Sequence, residues 1–428
     1  MYSHGKGRTD TDLIDIGHID TVVIGAGHAG LAMSRHLADR GVDHVVVERG
    51  RIAERWRSAR WDSCRLLTPN RLTRLPGRAY QGADPDGFMT AAGLASYLED
   101  YARSFAAPVV ESTAVTEVRQ LPGGDGGYVV RTDRGSWTAA NLVIATGYHA
   151  HAQVPGCAAG LPPDLVQVTA AGYRSPAHLP EGGVLVVGAS ASGVQIADEL
   201  RRAGRQITLA VGAHSRLPRR YRGRDIFWWL ERTGSLDRVI DDLPDPARAL
   251  REPSLQLSGS DRAVDLGALR DRGVRVAGRL AAVEGGVVRF ADDLGATTAA
   301  AEARLRRVLA GIDDHVAGSP VPDAEPVPPV LLESGPRTLD LRRAAVSTVV
   351  WATGMRPRYP WLKVPVLDGT GRIRHRRGVT AAPGLYAIGL RFQYRRDSTF
   401  IGGARHDAAY LADHIAVRRA ARPRRTPH

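Results

Sequence analysis

The stretch TVVIGAGHAG, Thr21 to Gly30, restricts this chain more than any other. Val22, Val23 and Ile24 form a β-branched run that reads as a strand buried on both faces. Gly25, Gly27 and Gly30 then spell G-x-G-x-x-G, with His28 and Ala29 between them, and LAMSRHLADRG follows as a helix. Gly25 permits a tight turn, Gly27 lets backbone approach a pyrophosphate, and Gly30 lets the helix pack closely on the strand. The helix N-terminus faces the negative charge. A second strand, His44 to Val47, ends in Glu48, which lies 23 residues beyond Gly25 and can accept the hydroxyls of an adenosine ribose. Strand, glycines, helix, strand and terminal acid together predict a dinucleotide site. His28 reads as a packing residue of the loop rather than an acid or base.

The pattern recurs. Val184 to Val187 reads as a strand, GASASG follows at Gly188 to Gly193, and VQIADELRRAG reads as the next helix. The two fingerprints begin 163 residues apart, too far for a solenoid repeat and suited to two nucleotide-binding domains. Ser190 stands where the middle glycine would be, flanked by Ala191 and Ser192, and its hydroxyl can donate to phosphate. Each half closes on a small-residue turn, Ala145-Thr146-Gly147 in the first and the ATG of WATGMRP, with Thr353 and Gly354, in the second. The expected fold class is α/β, two Rossmann-like dinucleotide-binding domains with the second inserted into the first. Expected boundaries are 1–160 and 346–428 for the outer domain and 161–345 for the inner one. The inner one carries a helical insertion at 221–262 and a Pro-rich loop at 319–330.

Composition removes several classes. The net charge of +13 invites nucleic acid or acidic membranes, yet Lys6 and Lys363 are the sole lysines and the arginines are dispersed. No basic block alternates with stacking aromatics, so no nucleic-acid groove is expected. Cys64 and Cys157 form no C-x-x-C, which excludes a dithiol redox motif and a cysteine-based zinc cluster. No apolar stretch is long enough to span a bilayer, and a cytoplasmic location is expected. Residues 1–18 and the tail ARPRRTPH read as loose ends. Thr90 is expected to cap a helix whose stripe of Leu94, Tyr97, Leu98 and Tyr101 belongs to the core.

Two nucleotide folds, each with an ATG turn, resemble the two-dinucleotide-binding-domain flavoproteins. Within them, ERWRSARWDSCRLLTP, DPDGFMT, ATGMRP and PGLYAIG are similar to flavin-containing monooxygenases of the compact bacterial and YUCCA-like branch, over about Thr21 to Ala416. The resemblance implies FAD on Gly25, Gly27, Gly30 and Glu48, with Arg49, Trp56, Val115, Ala145, Thr146 and Gly147 near it. The last strand and helix would return Gly389 and Ile401 to the flavin. NADPH would lie over Gly188, Ser190, Ser192 and Gly193. The family's chemistry runs through a C4a-hydroperoxyflavin that oxygenates a small organic substrate with O2, by N- or S-oxygenation or by oxidative decarboxylation of a 2-oxo acid. An NAD(P)H reductase or oxidase without substrate oxygenation is the alternative, and a homodimer is compatible with either. Two departures stand out: Thr169 occupies the histidine position of the FxGxxxHxxx(Y/W) signature, which keeps Tyr173, and Leu390 follows Gly389 where an acid is common. The first argues against Baeyer–Villiger chemistry.

Beyond the second strand of the inner domain, AVGAHSRLPRRYRGRD supplies Arg216, Arg219, Arg220 and Arg222 as candidate partners of a 2′-phosphate. One charge-assisted bond of about 1.5–3 kcal/mol would favour NADPH by roughly ten- to a hundred-fold. By resemblance, Trp56, Arg60, Trp61, Asp62 and Arg65 are candidates for the flavin and substrate face, with Trp61, Asp62 and Arg65 the catalytic candidates. An Arg–Asp pair there would hold a carboxylate-bearing substrate. The same residues equally fit a surface ion pair beneath packed tryptophans.

Overall fold

A computed structural model describes residues 15–122, 127–148, 151–262 and 264–421. The N-terminal lead-in up to 14, most of the Gly-rich turn expected after Val118, and the tail beyond 421 lie outside the described residues. Strand β1 (Asp15–Ile24) is followed by helix α1 (His28–Asp39) and β2 (His44–Val47). After helix α2 (Ala91–Ser104) come β3 (Val109–Val110), β4 (Val115–Gln120), β5 (Tyr128–Thr132) and β6 (Ser136–Ile144). The inner unit holds β7 (Val166–Thr169), β8 (Gly183–Val187), α3 (Ala191–Arg202) and β9 (Ile207–Ala210). It continues through α4 (Ile226–Arg232), β10 (Arg275–Ala277), α5 (Leu294–Val316) and β11 (Val346–Trp351). Strand β12 (Leu385–Ala387) and helix α6 (Ala404–Ala421) end the described chain.

Two sheets organise these elements. The first runs β3-β2-β1-β6-β5-β4, with β12 added parallel to the C-terminal half of β6. Its central strands are parallel and buried, as their β-branched runs require, whereas β4, β5 and the start of β6 form an antiparallel meander. Strand β1 is longer than expected, because Asp15 to Ile19 pair with Ser136 to Ala139 of β6. The second sheet is parallel throughout, in the order β7-β11-β8-β9-β10. Strand β11 sits between β7 and β8, so the return to the first sheet comes after Trp351 and not at 346 as the sequence suggests.

The cores follow from these faces. Helices α1, α2 and α6 cover one face of the first sheet with Leu31, Met33, Leu94, Leu98, Leu411 and Ile415. Each such side chain contributes about 1.5–3 kcal/mol on burial. The Thr90 hydroxyl caps α2 by accepting from the Gly93 amide at 3.0 Å. Tyr101 is core, its hydroxyl donating to the Pro76 carbonyl at 2.8 Å. The 221–262 insertion carries α4, capped by Asp225, and packs Phe227 and Trp229 against α5. Residues 319–330 cross the surface almost without regular structure. No described helix is long and apolar enough to cross a membrane.

Candidate cofactor sites

Both fingerprints fold into the same cradle. Gly25 adopts φ +109°, and a Cβ there would lie 2.7 Å from the Ala145 carbonyl oxygen. A Cβ on Gly30 would fall 1.9 Å from the oxygen of Gly25. In the inner unit Gly188 has φ +108° with the Ala352 oxygen 2.4 Å from its would-be Cβ, and a Cβ built on Gly193 would fall 1.8 Å from the oxygen of Gly188. Strand, turn and helix are thus in backbone contact at each site, and only glycine fits there. The ATG turns complete the two cradles by supplying Ala145 and Ala352.

The middle position differs. Gly27 (φ −79°, ψ −178°) and Ser190 (φ −83°, ψ −174°) share one conformation, and it is ordinary extended backbone. Serine is therefore unstrained at 190. A Cβ at Gly27 would meet nothing within 4 Å, which leaves open space on the face of the loop backbone. Neither helix N-terminus has a side-chain cap, so the first amides of α1 and α3 remain available to an anion.

Around the first cradle, the Glu48 carboxylate accepts from the Ala26 amide at 2.8 Å and the Gly50 amide at 3.0 Å, which fixes it at the mouth of the loop. Arg49 beside it is exposed. Val115 opens β4, five residues beyond the end of β3. The His28 Nε2 is sealed from solvent without a partner, while the ring bonds the Thr399 backbone. Burial pushes His28 down to about 4, so it stays neutral at working pH and is no proton donor. Gly389 (φ +79°) brings the last strand within 3.2 Å of the Ala29 Cβ, measured from a built Cβ. Ile401 is part of the α1 and α6 core. Gly147 and Gly354 also have positive φ, +75° and +90°, at the ends of the two ATG turns. The Thr353 hydroxyl donates to the Gln153 carbonyl.

The segment expected to line the flavin is a strap between the two units. Trp56 packs on both cores, and Arg60 stacks 4.7 Å from its ring. Trp61 is buried in the inner unit's core with Tyr173 and Val194, so its indole is a wedge and not an exposed substrate face. Tyr173 and Ser63 both donate to the Glu199 carboxylate of α3, at 2.9 and 2.8 Å. Arg174 donates to the carbonyls of Ser58 and Arg60, and its own carbonyl accepts from the Asp62 amide. No Asp62–Arg65 ion pair exists among the described residues: Arg65 donates to the Phe88 carbonyl at 2.8 Å, and the Asp62 side chain is exposed. The retained tyrosine of the departed signature thus anchors the strap. Burial raises the Cys64 thiol in this strap to about 11, which makes it inert.

Three of the four arginines expected at a 2′-phosphate are engaged elsewhere. Arg216 is buried, paired with Asp265 at 3.0 Å and with Glu302, and donates to the Pro328 carbonyl. Arg219 is buried between Phe88 and Phe227, pairs with Asp225, and donates to the carbonyls of Leu67 and Ser258. Arg220 is exposed on a two-residue hairpin, and Arg222 pairs with Asp313 at 2.8 Å. A guanidinium engaged on several edges inside the protein cannot also grip a ligand phosphate.

Sequence reasoning missed Gln256. It lies on a two-residue strand (Leu255–Gln256) beside Ser215–Arg216, and its amide donates to the Ala189 carbonyl in the second glycine loop at 2.9 Å. Its Oε1 is buried without a partner at that loop. No local pattern marks such a residue. The insertion that carries it is docked on both units. Glu231 pairs with Arg74 at 2.6 Å, Glu252 with Arg396 at 2.6 Å, and the Ile240 amide donates to the Tyr394 carbonyl at 2.8 Å.

Comparison with known proteins agrees with this geometry. Residues 22–224 match the family model described as pyridine nucleotide-disulphide oxidoreductase. An uncharacterized CzcO-like oxidoreductase of Geobacillus kaustophilus is 33% identical over 408 residues, covering 93% of this chain and 98% of that protein. The indole-3-pyruvate monooxygenase YUCCA1 of Oryza sativa is 31% identical, over 44% of this chain and 47% of its own length. Among solved structures, the flavin-containing monooxygenase from Stenotrophomonas maltophilia superimposes with TM-score 0.64 at 19% identity, covering 94% of this chain and 99% of the other.

Proposed function

Because the chain belongs to the flavin-containing monooxygenase-like family, with CzcO-like oxidoreductases among its full-length relatives, we propose that it oxygenates a small organic substrate, with N- or S-oxygenation or oxidative decarboxylation of a 2-oxo acid as the reaction types. It is a flavoprotein oxidoreductase of the monooxygenase type, and its cofactors are FAD and NADPH. The observation that carries the reading is the duplicated cradle, Gly25-Gly30-Ala145 and Gly188-Gly193-Ala352, in one chain without a dithiol motif.

The residues fit the cofactors. The first cradle takes FAD: the α1 amides would meet the diphosphate and Glu48 the ribose. The second takes NADPH, with the α3 amides and Ser190 at its diphosphate, and Gln256 would brace the loop through the Ala189 carbonyl. When bound, NADPH supplies hydride and FAD passes the electron pair to oxygen. The protein's part is to hold the two rings together and keep water out. Trp56, Trp61 and the Tyr173–Glu199–Ser63 contacts close the strap between the units, and the aromatic insertion covers the Leu67–Leu72 side. The alternative is a reductase or oxidase. It is separated by stoichiometry: purified flavoprotein is supplied with NADPH and oxygen against a panel of amines, thioethers and 2-oxo acids. Product formed mole for mole with NADPH supports oxygenation. Hydrogen peroxide equal to NADPH consumed, with every substrate class, refutes it.

A further inference from the structure

Dinucleotide folds read the 2′ position of the adenosine ribose just beyond the second strand of the unit, where an acid selects NAD and a cation accommodates the 2′-phosphate. Here that place is Val211-Gly212-Ala213-His214, directly after β9, and it contains no acid. A Cβ on Gly212 would meet nothing within 4 Å, so the loop presents an open face. The loop is held in shape by the buried His214, whose Nδ1 lies 3.0 Å from the Gly212 carbonyl oxygen.

A guanidinium reaches this loop from a distant part of the sequence. Arg304 of α5 donates to the His214 carbonyl at 2.6 Å. Its Nε is buried without a partner, and no carboxylate forms an ion pair with it among the described residues. Like-charged Arg307 lies near it on the same helix. The side chain is therefore a half-buried cation in no direct ion pair, beside the open loop; Glu252, which pairs with Arg396, acts on it only from beyond ion-pair distance. Of the loop arginines, Arg216, Arg219 and Arg222 are held in ion pairs, and Arg220 is exposed. Arg216 holds Glu302, two residues from Arg304, and so fixes the helix that presents it. Arg222 meets α5 at Asp313, nine residues further along, or about 14 Å.

We propose that Arg304, presented by α5 beneath the loop after β9, is the cation that recognises the 2′-phosphate of NADPH. The proposal rests on the second cradle being the NADPH site. One charge-assisted contact of this kind changes affinity by about ten- to a hundred-fold.

The test is calorimetric binding to the FAD-loaded protein, with NADP⁺ and NAD⁺ as one pair of probes and adenosine 2′,5′-bisphosphate and 5′-AMP as the other. In Arg304→Gln, affinity for the two 2′-phosphorylated probes falls by about ten- to a hundred-fold. Affinity for NAD⁺ and 5′-AMP stays within about two-fold, and Arg304→Lys recovers part of the loss. An unchanged melting temperature excludes a folding defect. Equal affinity of wild type and Arg304→Gln for NADP⁺ overturns the proposal and leaves the NADPH site standing. An equal fall for NAD⁺ overturns it too, since Arg304 would then only shape the loop. Failure of the wild type to bind any of the four overturns the site assignment itself, and the proposal with it.

Discussion

Replacing Arg216 by methionine separates a phosphate-gripping role from a scaffolding one. The Arg216 side chain is 7% exposed, Glu302 is 9% exposed and Asp265 is 19% exposed. Methionine keeps much of the volume but strands two carboxylates. Breaking one member of a buried ion cluster costs about 3–5 kcal/mol. Here the loss is softened, because Glu302 also accepts from the Val330 amide at 3.2 Å and lies 3.7 Å from Arg306. Asp265 keeps its cap on the Ala268 amide at 2.9 Å. The expected destabilisation is therefore about 2–4 kcal/mol, read from the shift in urea midpoint at constant slope. Adding Glu302→Gln to Arg216→Met removes one stranded charge and retains the acceptor for Val330, and about half of the loss returns. NADP⁺ affinity, measured where both proteins are folded, falls less than it does for Arg304→Gln. A variant that loses under about 0.5 kcal/mol of stability but more than about thirty-fold in NADP⁺ affinity would refute this reasoning and restore Arg216 to the phosphate.

Other consequences follow from single contacts. Gly193→Val must push β-carbon density into the Gly188 carbonyl, 1.8 Å from the built Cβ, so flavin reduction by NADPH drops by more than about a hundred-fold while FAD content is kept; retention of both refutes the cradle. Glu48→Ala frees the Ala26 and Gly50 amides and removes the ribose acceptor, and FAD affinity measured by flavin fluorescence falls by about ten-fold or more. Burial, reinforced by nearby Asp397, raises the Asp407 carboxyl to about 7, against the opposing pull of Ser398, Arg377 and Arg395. A raised carboxyl binds its proton more tightly folded than unfolded, so its stabilising contribution is full below about pH 4 and is lost as pH rises through 7. Asp407→Asn therefore flattens the fall in stability between pH 5 and 8, by up to about 2.5 kcal/mol. Denaturation midpoints of both proteins at the two pH values check this.

Much of the scaffold was legible because it is written in short-range chemistry. A β-branched run, a glycine that must take positive φ, and a glycine against a carbonyl each constrain residues within a few positions, so both cradles and the ATG turns could be read in order. The cap at Thr90 is equally local. Ser190 replaces the middle glycine without strain, since its backbone is extended and not left-handed. The end of the inner unit was misplaced by one strand, because pairing of β11 between β7 and β8 is a long-range choice.

What the sequence alone determined is the two-cradle frame and the chemistry those cradles admit. Which charged and aromatic side chains face the cofactors was decided only by the tertiary structure. Arg216 finds its partners 49 and 86 residues away, and once buried it must satisfy them rather than a ligand. Trp61 leaves the expected substrate face for a core built by Tyr173 and Val194. Gln256 and Arg304 reach the second site from irregular or inserted segments whose own periodicity says nothing of their target. An ion's partner is set by burial and by what else can neutralise it in three dimensions, and neither quantity is carried by neighbours in sequence.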